Sequence, residues 1–213
     1  MSTIKSSRLI YTFNGHEKTV DNPTANQIHD SILGLPPAAV ILTERNQWLS
    51  KLIGWLSILR NPMILLHSGL KCLYSHTGVF LGSYEIPSHD DDMIVEALPS
   101  GVNKGHLKDL IASDTRVEVW FNKDLFPGTD IDMRLKLLSM VGKKYDWSKL
   151  LSFVVPIHQD PNAYICSEVV IDLYRLTGLI PHILEISTPA DLADLFNSNE
   201  GFELGWRKIL VWI

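Results

Sequence analysis

The sequence predicts an α+β protein in which helices flank an antiparallel sheet, and three observations carry that expectation. Short runs rich in strand-forming residues recur along the chain, with glycine or proline turns among them. Other segments place apolar residues at helical spacing, opened by capping residues and closed by glycine. The composition is that of a globular chain, 46% hydrophobic and 20% charged over 213 residues. That length suffices for one sizeable domain, or for a domain with an extension.

Residues 1–37 read as an N-terminal extension, with one strand from Arg8 to Phe13 and then polar text ending at Pro36-Pro37. Residues 38–213 read as the main domain. Ala38 to Thr43 is a short apolar strand. Residues 46–60 fit an amphipathic helix with Trp48, Leu52, Trp55, Leu56 and Leu59 on one side. Tyr74 to Leu81 is rich in strand formers and ends at Gly82, and Met93 to Ala97 is a further strand before a turn at Pro99-Ser100-Gly101. Arg116 to Phe121 alternates polar and apolar residues as a half-buried strand should. Thr129 or Asp130 can cap a helix running to about Val141, with Gly142 as its stop. The run 164–178 is an extended entry followed by a helix that begins at or beside Cys166. Val169, Val170, Leu173 and Leu176 form its apolar face, Glu168, Asp172 and Arg175 the other, and Gly178 closes it. Thr188 or Ser187 can cap a helix from Pro189 to Phe196, and Lys208 to Ile213 is a final strand.

Several function classes are disfavoured. The formal net charge is −5 and no Lys/Arg cluster offsets it, which argues against nucleic acid as a partner. Two cysteines, Cys72 and Cys166, make no disulfide framework and suit a reduced compartment. Residues 1–15 carry no continuous apolar core, so synthesis into a cytoplasm is expected, with host and phage origin both open. Lys51, Arg60 and Pro62 interrupt the apolar stretch 47–70, which lacks the roughly 20 apolar residues of a spanning helix. Its 46–60 helix is expected to face the core or to wall a substrate groove. The two tryptophans and two cations also suit weak contact with a membrane surface or lipid. His89, Asp90, Asp91, Asp92 and His106 match no tight ligand spacing, so no metal or other cofactor is expected.

The candidate chemistry centres on Cys166. A thiol in the first helical turn faces the positive end of the helix dipole and unpaired backbone N–H groups, which favour a thiolate. A cysteine on an apolar helix face is also a common packing residue. His76 and Glu96 stand on neighbouring candidate strands. A carboxylate on an apolar strand needs a partner or solvent, and an imidazole beside it would be that partner. The other ring nitrogen would then be free to face a thiol, in the nucleophile, base and orienter arrangement of hydrolases. A half-exposed strand histidine and a surface glutamate are the plainer alternative. Cys72, after Lys71, is a rival nucleophile but lacks a helix start.

Five segments, in order, extend this reading: Ser-His-Thr-Gly-Val-Phe-Leu-Gly (75–82), Val-Glu-Ala-Leu-Pro-Ser-Gly-Val (95–102), Gly-Lys-Lys-Tyr-Asp-Trp (142–147), Tyr-Ile-Cys-Ser-Glu-Val-Val (164–170) and Ser-Thr-Pro-Ala-Asp-Leu (187–192). Together they resemble the circularly permuted papain-like hydrolases, the YiiX-like relatives of NlpC-type cell-wall peptidases and of lecithin:retinol acyltransferase. The resemblance spans roughly residues 38–213, with the histidine ahead of the cysteine as in that family. It implies a papain-like α+β fold, an antiparallel sheet or small barrel flanked by helices. It implies Cys166 as nucleophile, His76 as base and Glu96 as the residue orienting it, with Tyr145 a candidate oxyanion or substrate contact. The implied activity is hydrolysis of an amide or ester, in a cell-wall peptide or a lipid-like acyl substrate, through a thioacyl intermediate. A binding protein that keeps the fold without turnover is the alternative. The chain departs from the family at 38–44, where a Gly-Asp-Leu type opening is replaced, and at the added segments 61–72 and 83–92. These regions border the expected groove, so the substrate, the choice of water or another acceptor, and the oligomeric state are not carried over.

Overall fold

β-Branched and aromatic residues in short runs produce strands where the sequence places them. The computed structural model describes residues 5–13, 16–32, 35–45, 51, 74–82, 92–113, 116–125, 129–152, 162–180 and 188–212. The strands are β1 (Lys5–Phe13), β2 (His16–Asp21), β3 (Val40–Glu44), β4 (His76–Phe80), β5 (Met93–Leu98), β6 (Gly101–His106), β7 (Arg116–Asn122), β8 (Lys144–Tyr145), β9 (Ala163–Tyr164) and β10 (Phe202–Trp212). The helices are α1 (Ala25–Ile32), α2 (Leu107–Ser113), α3 (Thr129–Met140), α4 (Trp147–Ser152), α5 (Cys166–Leu176) and α6 (Pro189–Ser198).

Eight strands form one sheet in the order β2-β1-β10-β7-β3-β4-β5-β6. Every neighbouring pair is antiparallel. The α+β expectation holds, and of its two forms the sheet is the open one rather than a closed small barrel. The edges explain why. β2 is exposed and polar, as a solvated edge strand should be. On the β6 edge, the turn after α3 takes the ladder groups: Gly142 N donates to Val102 O at 2.9 Å, and Val102 N donates to Lys143 O at 2.8 Å. β1, from the segment 1–37, pairs along β10 from Lys5 to Tyr11.

Both sheet faces are covered. Val40, Leu42, Val79, Val95 and Trp120 pack with α3, α5 and α6. Ile41, Phe80, Ile94, Val117 and Val119 pack with Leu9, Ile32 of α1 and Leu107 and Ile111 of α2. Consecutive residues of β3 thus serve opposite cores, as strand geometry requires. The alternation in β7 misleads for the same reason, because this strand is buried on both faces rather than one. Glu118 points inward at 1% exposure. Tyr74 and Arg116 hydrogen-bond to it, Trp120 Nε1 donates to it at 3.2 Å, and Arg207 Nε lies 2.6 Å away. A buried carboxylate so surrounded is compensated, and these partners hold it below its usual range against the opposing effect of burial.

Helix boundaries follow the local signals. Gly142 (φ 86°) and Gly178 (φ 71°) adopt the left-handed conformation that stops α3 and α5. Thr188, not Ser187, caps α6. Its hydroxyl accepts from Asp191 N at 3.2 Å, and Asp191 Oδ2 accepts from Thr188 N at 2.9 Å. Val169, Val170 and Leu173 are fully buried, but Leu176 is 59% exposed. At about 100° per residue Leu176 falls about 20° beyond Val169, at the border of the buried arc, and it is the last residue of α5. The amphipathic segment 46–60, apart from Lys51, the insertion 61–72 with Cys72, and the loop residues 83–91 lie outside the described residues. Among the described residues no helix is long and apolar enough to cross a membrane.

Candidate active site

Cys166 is the first residue of α5, and Ile165 before it is extended (φ −92°, ψ 167°). Isoleucine has no side-chain acceptor, so no N-cap side chain occupies the first-turn N–H groups. The reciprocal bond is present: Glu168 Oε2 accepts from Ile165 N at 3.1 Å, and Lys149 Nζ holds Glu168 Oε1 at 2.8 Å. Asp146 opens α4 by accepting from Lys149 N at 2.8 Å. The entry to α5 and the start of α4 are therefore tied together ahead of the thiol. Val169, Val170 and Leu173 seat α5 in the core that includes Val79 of β4 and Val95 of β5.

The β4–β5 register places Gly78 opposite Glu96. His76, two residues before Gly78, shares its face and stands diagonal to Glu96. The missing side chain at Gly78 leaves that diagonal open. His76 Nε2 lies 2.5 Å from Glu96 Oε2, with the two side chains 7% and 8% exposed. His76 is also hydrogen-bonded with Cys166. Since Nε2 is engaged by Glu96, Nδ1 is the nitrogen left for the thiol. Cys166 itself is 3% exposed.

The electrostatics follow from this geometry. Burial alone would lower the His76 pKa, but hydrogen bonds to Cys166 and Glu96 outweigh it and the net shift is upward. The positive charge of Arg45 works against that rise. Burial would raise the Glu96 carboxyl, but His76 and Arg45 overcome it and hold it below the usual range. The resting pair is thus biased toward imidazolium and carboxylate.

Tyr145 reaches the same region through the parallel pairing of β8 with β9, which sets Tyr145 beside Tyr164, two residues before Cys166. Burial, and then the charges of Cys166, Asp146 and Glu168, push its phenol well above the ordinary tyrosine value. It therefore stays protonated and able to donate. Trp147, 45% exposed, packs edge-on against it at 5.0 Å between ring centroids.

Of the residues expected from sequence, Cys166, His76 and Glu96 come together and Tyr145 lies within electrostatic reach of the thiol. Arg45 belongs to the same cluster and was not anticipated. Its Nη2 lies 2.9 Å from Glu96 Oε2. Its only local signal is its position after the strand 40–44, and the approach depends on a β3–β4 register set across some thirty intervening residues. His106 and Asp92 form a separate pair at 2.7 Å, with Asp92 capping α2 through Lys108 N at 3.3 Å. Among the described residues no group of three or more His, Cys, Asp or Glu side chains is placed to hold a metal ion.

One solved structure that resembles the chain is described as the metalloprotein YiiX from Escherichia coli O157:H7. It is 21% identical, with a TM-score of 0.47, over 82% of this chain and 87% of that one. A search of curated proteins found no match. The model of the permuted papain-like amidase enzymes, YaeF/YiiX, C92 family, matches residues 36–188. That span holds β3, β4, β5 and the start of α5 with Cys166, His76 and Glu96, and on it the chain belongs to the permuted papain-like amidase family.

Proposed function

We propose that the chain is a cysteine hydrolase that opens an amide or ester bond with Cys166 as nucleophile, His76 as acid–base and Glu96 as its orienter. The observation that carries this reading is His76 itself. Its Nε2 is held by the carboxylate of Glu96, and the same imidazole interacts with the thiol at the first residue of α5. A structural histidine has no need of both. Membership in a family described as amidases supports the amide alternative.

In the proposed reaction the Cys166 proton resides on His76 and the sulfur attacks the acyl carbon. The carbonyl π electrons move onto oxygen, which the Cys166 N–H and the Tyr145 hydroxyl hold as an oxyanion. Collapse re-forms the carbonyl and breaks the bond to the amine or alcohol, which leaves with the His76 proton. A water molecule then gives its proton to His76 and attacks the thioacyl carbon. Carboxylic acid is released and the thiol is restored. Cell-wall peptides and lipid-like acyl groups are the substrate classes to screen first.

The test is the pH dependence of Cys166 alkylation by iodoacetamide, read by peptide mass spectrometry in wild type and His76→Ala. Fast labelling near neutral pH that slows at least about tenfold without His76 is expected. Labelling indifferent to His76 would make Cys166 a packing residue and the chain a binding protein.

A further inference from the structure

Arg45 and His76 share one oxygen. Arg45 Nη2 lies 2.9 Å and His76 Nε2 2.5 Å from Glu96 Oε2, so the two cations face each other within roughly 5 Å. The Arg45 side chain is 12% exposed, which limits solvent screening. Its backbone is fixed by the residue next to His76: Arg45 N donates to Ser75 Oγ at 3.1 Å, and Ser75 N donates to Thr43 O at 3.0 Å.

The sheet itself restrains Glu96 little. Its partner on β4 is Gly78 and its diagonal neighbour on β6 is Gly105. A Cβ at Gly105 would stand 2.9 Å from Glu96 Oε1, so the carboxylate occupies the space these glycines leave. Its partner on β6, Asn103, is turned to Ser100 Oγ and Gly101 O. Orientation of Glu96 thus falls to its polar partners.

We propose that Arg45 is a positioning residue of the Cys166–His76–Glu96 site, locking the Glu96 carboxylate toward His76 and opposing the imidazolium with a fixed positive charge. The proposal rests on the cysteine-hydrolase reading. The charged groups facing His76 among the described residues are Glu96 from β5, Cys166 from α5 and Arg45 from the end of β3. A carboxylate and a thiolate both stabilise the imidazolium. Unopposed, they would make it a poor donor to the leaving group. Arg45, a fixed positive charge on the same carboxylate oxygen, works in the other direction.

The experiment is an NMR titration of the His76 imidazole, assigned by its loss in His76→Ala, in wild type, Arg45→Gln and Arg45→Lys. In Arg45→Gln the midpoint is expected to rise by about one unit, and in Arg45→Lys to stay within a few tenths of wild type. A wild-type midpoint in a folded Arg45→Gln protein would overturn the proposal. A second reading needs no folded neutral variant: in wild type the Arg45 side-chain ¹⁵N resonance is expected to move with the His76 midpoint, and indifference to it would equally overturn the proposal. If His76→Ala leaves Cys166 alkylation unchanged, the hydrolase reading fails. If it slows alkylation while His76 ignores Arg45, the Arg45 role alone fails.

Discussion

Tyr145 is buried, and that burial together with the charges of Cys166, Asp146 and Glu168 keeps its phenol protonated. A protonated phenol within electrostatic reach of Cys166 is a hydrogen-bond donor beside the thiol. Donation to an oxyanion is its proposed role. Tyr145→Phe is therefore expected to leave the thermal midpoint unchanged or slightly raised and to lower kcat by about 10²-fold. Differential scanning fluorimetry and turnover of the substrate found by screening measure the two effects. A large loss of stability with intact turnover would make Tyr145 structural.

Among the elements, α5 matters most, because it fixes where the thiol stands. Its grip on the sheet comes from Val169, Val170 and Leu173, which are fully buried. Leu173→Ala is expected to cost about 2–5 kcal/mol in chemical denaturation, while Leu176→Ala should change stability by less than about 0.5 kcal/mol. Equal costs at the two positions would mean that the helix is rotated from the orientation described. The β4–β5 ladder is the second element that matters. Its register sets His76 and Glu96 on one face, and a slip of one residue would send one of them to the opposite core.

For the whole molecule, the open sheet makes the segment ahead of residue 36 part of the packing. Leu9 and Ile32 are almost wholly buried, and Trp206 Nε1 donates to Ser31 Oγ at 2.7 Å. Deleting residues 1–35 uncovers the β10 edge and these contacts. At about 1.5–3 kcal/mol for each large buried side chain, the thermal midpoint is expected to fall by roughly ten degrees or more, with aggregation along the new edge. An unchanged midpoint in a monodisperse truncated protein would show that the segment is a removable appendage.

Local signals were enough to read much of this protein. The strands around His76, Glu96 and Val117 were legible in their β-branched runs, and the ends of α3, α5 and α6 in Gly142, Gly178 and Thr188. Cys166 at a helix start, and the order of histidine before cysteine, were legible too, because helix signals act within one or two turns. Tertiary structure decided what depends on distant partners. The helix α1 and the strands β2 and β6 escaped notice, since their short polar runs owe their form to the sheet they join. The burial of Glu118 was not legible in the alternation of its strand, because Tyr74 and Arg207, which help to compensate it, come from elsewhere in the fold. Arg45 was invisible as a partner of Glu96, because their approach follows from two strand registers and from the space left by Gly78 and Gly105. A short segment encodes its own turn or cap, whereas a register is chosen by the packing of the whole sheet.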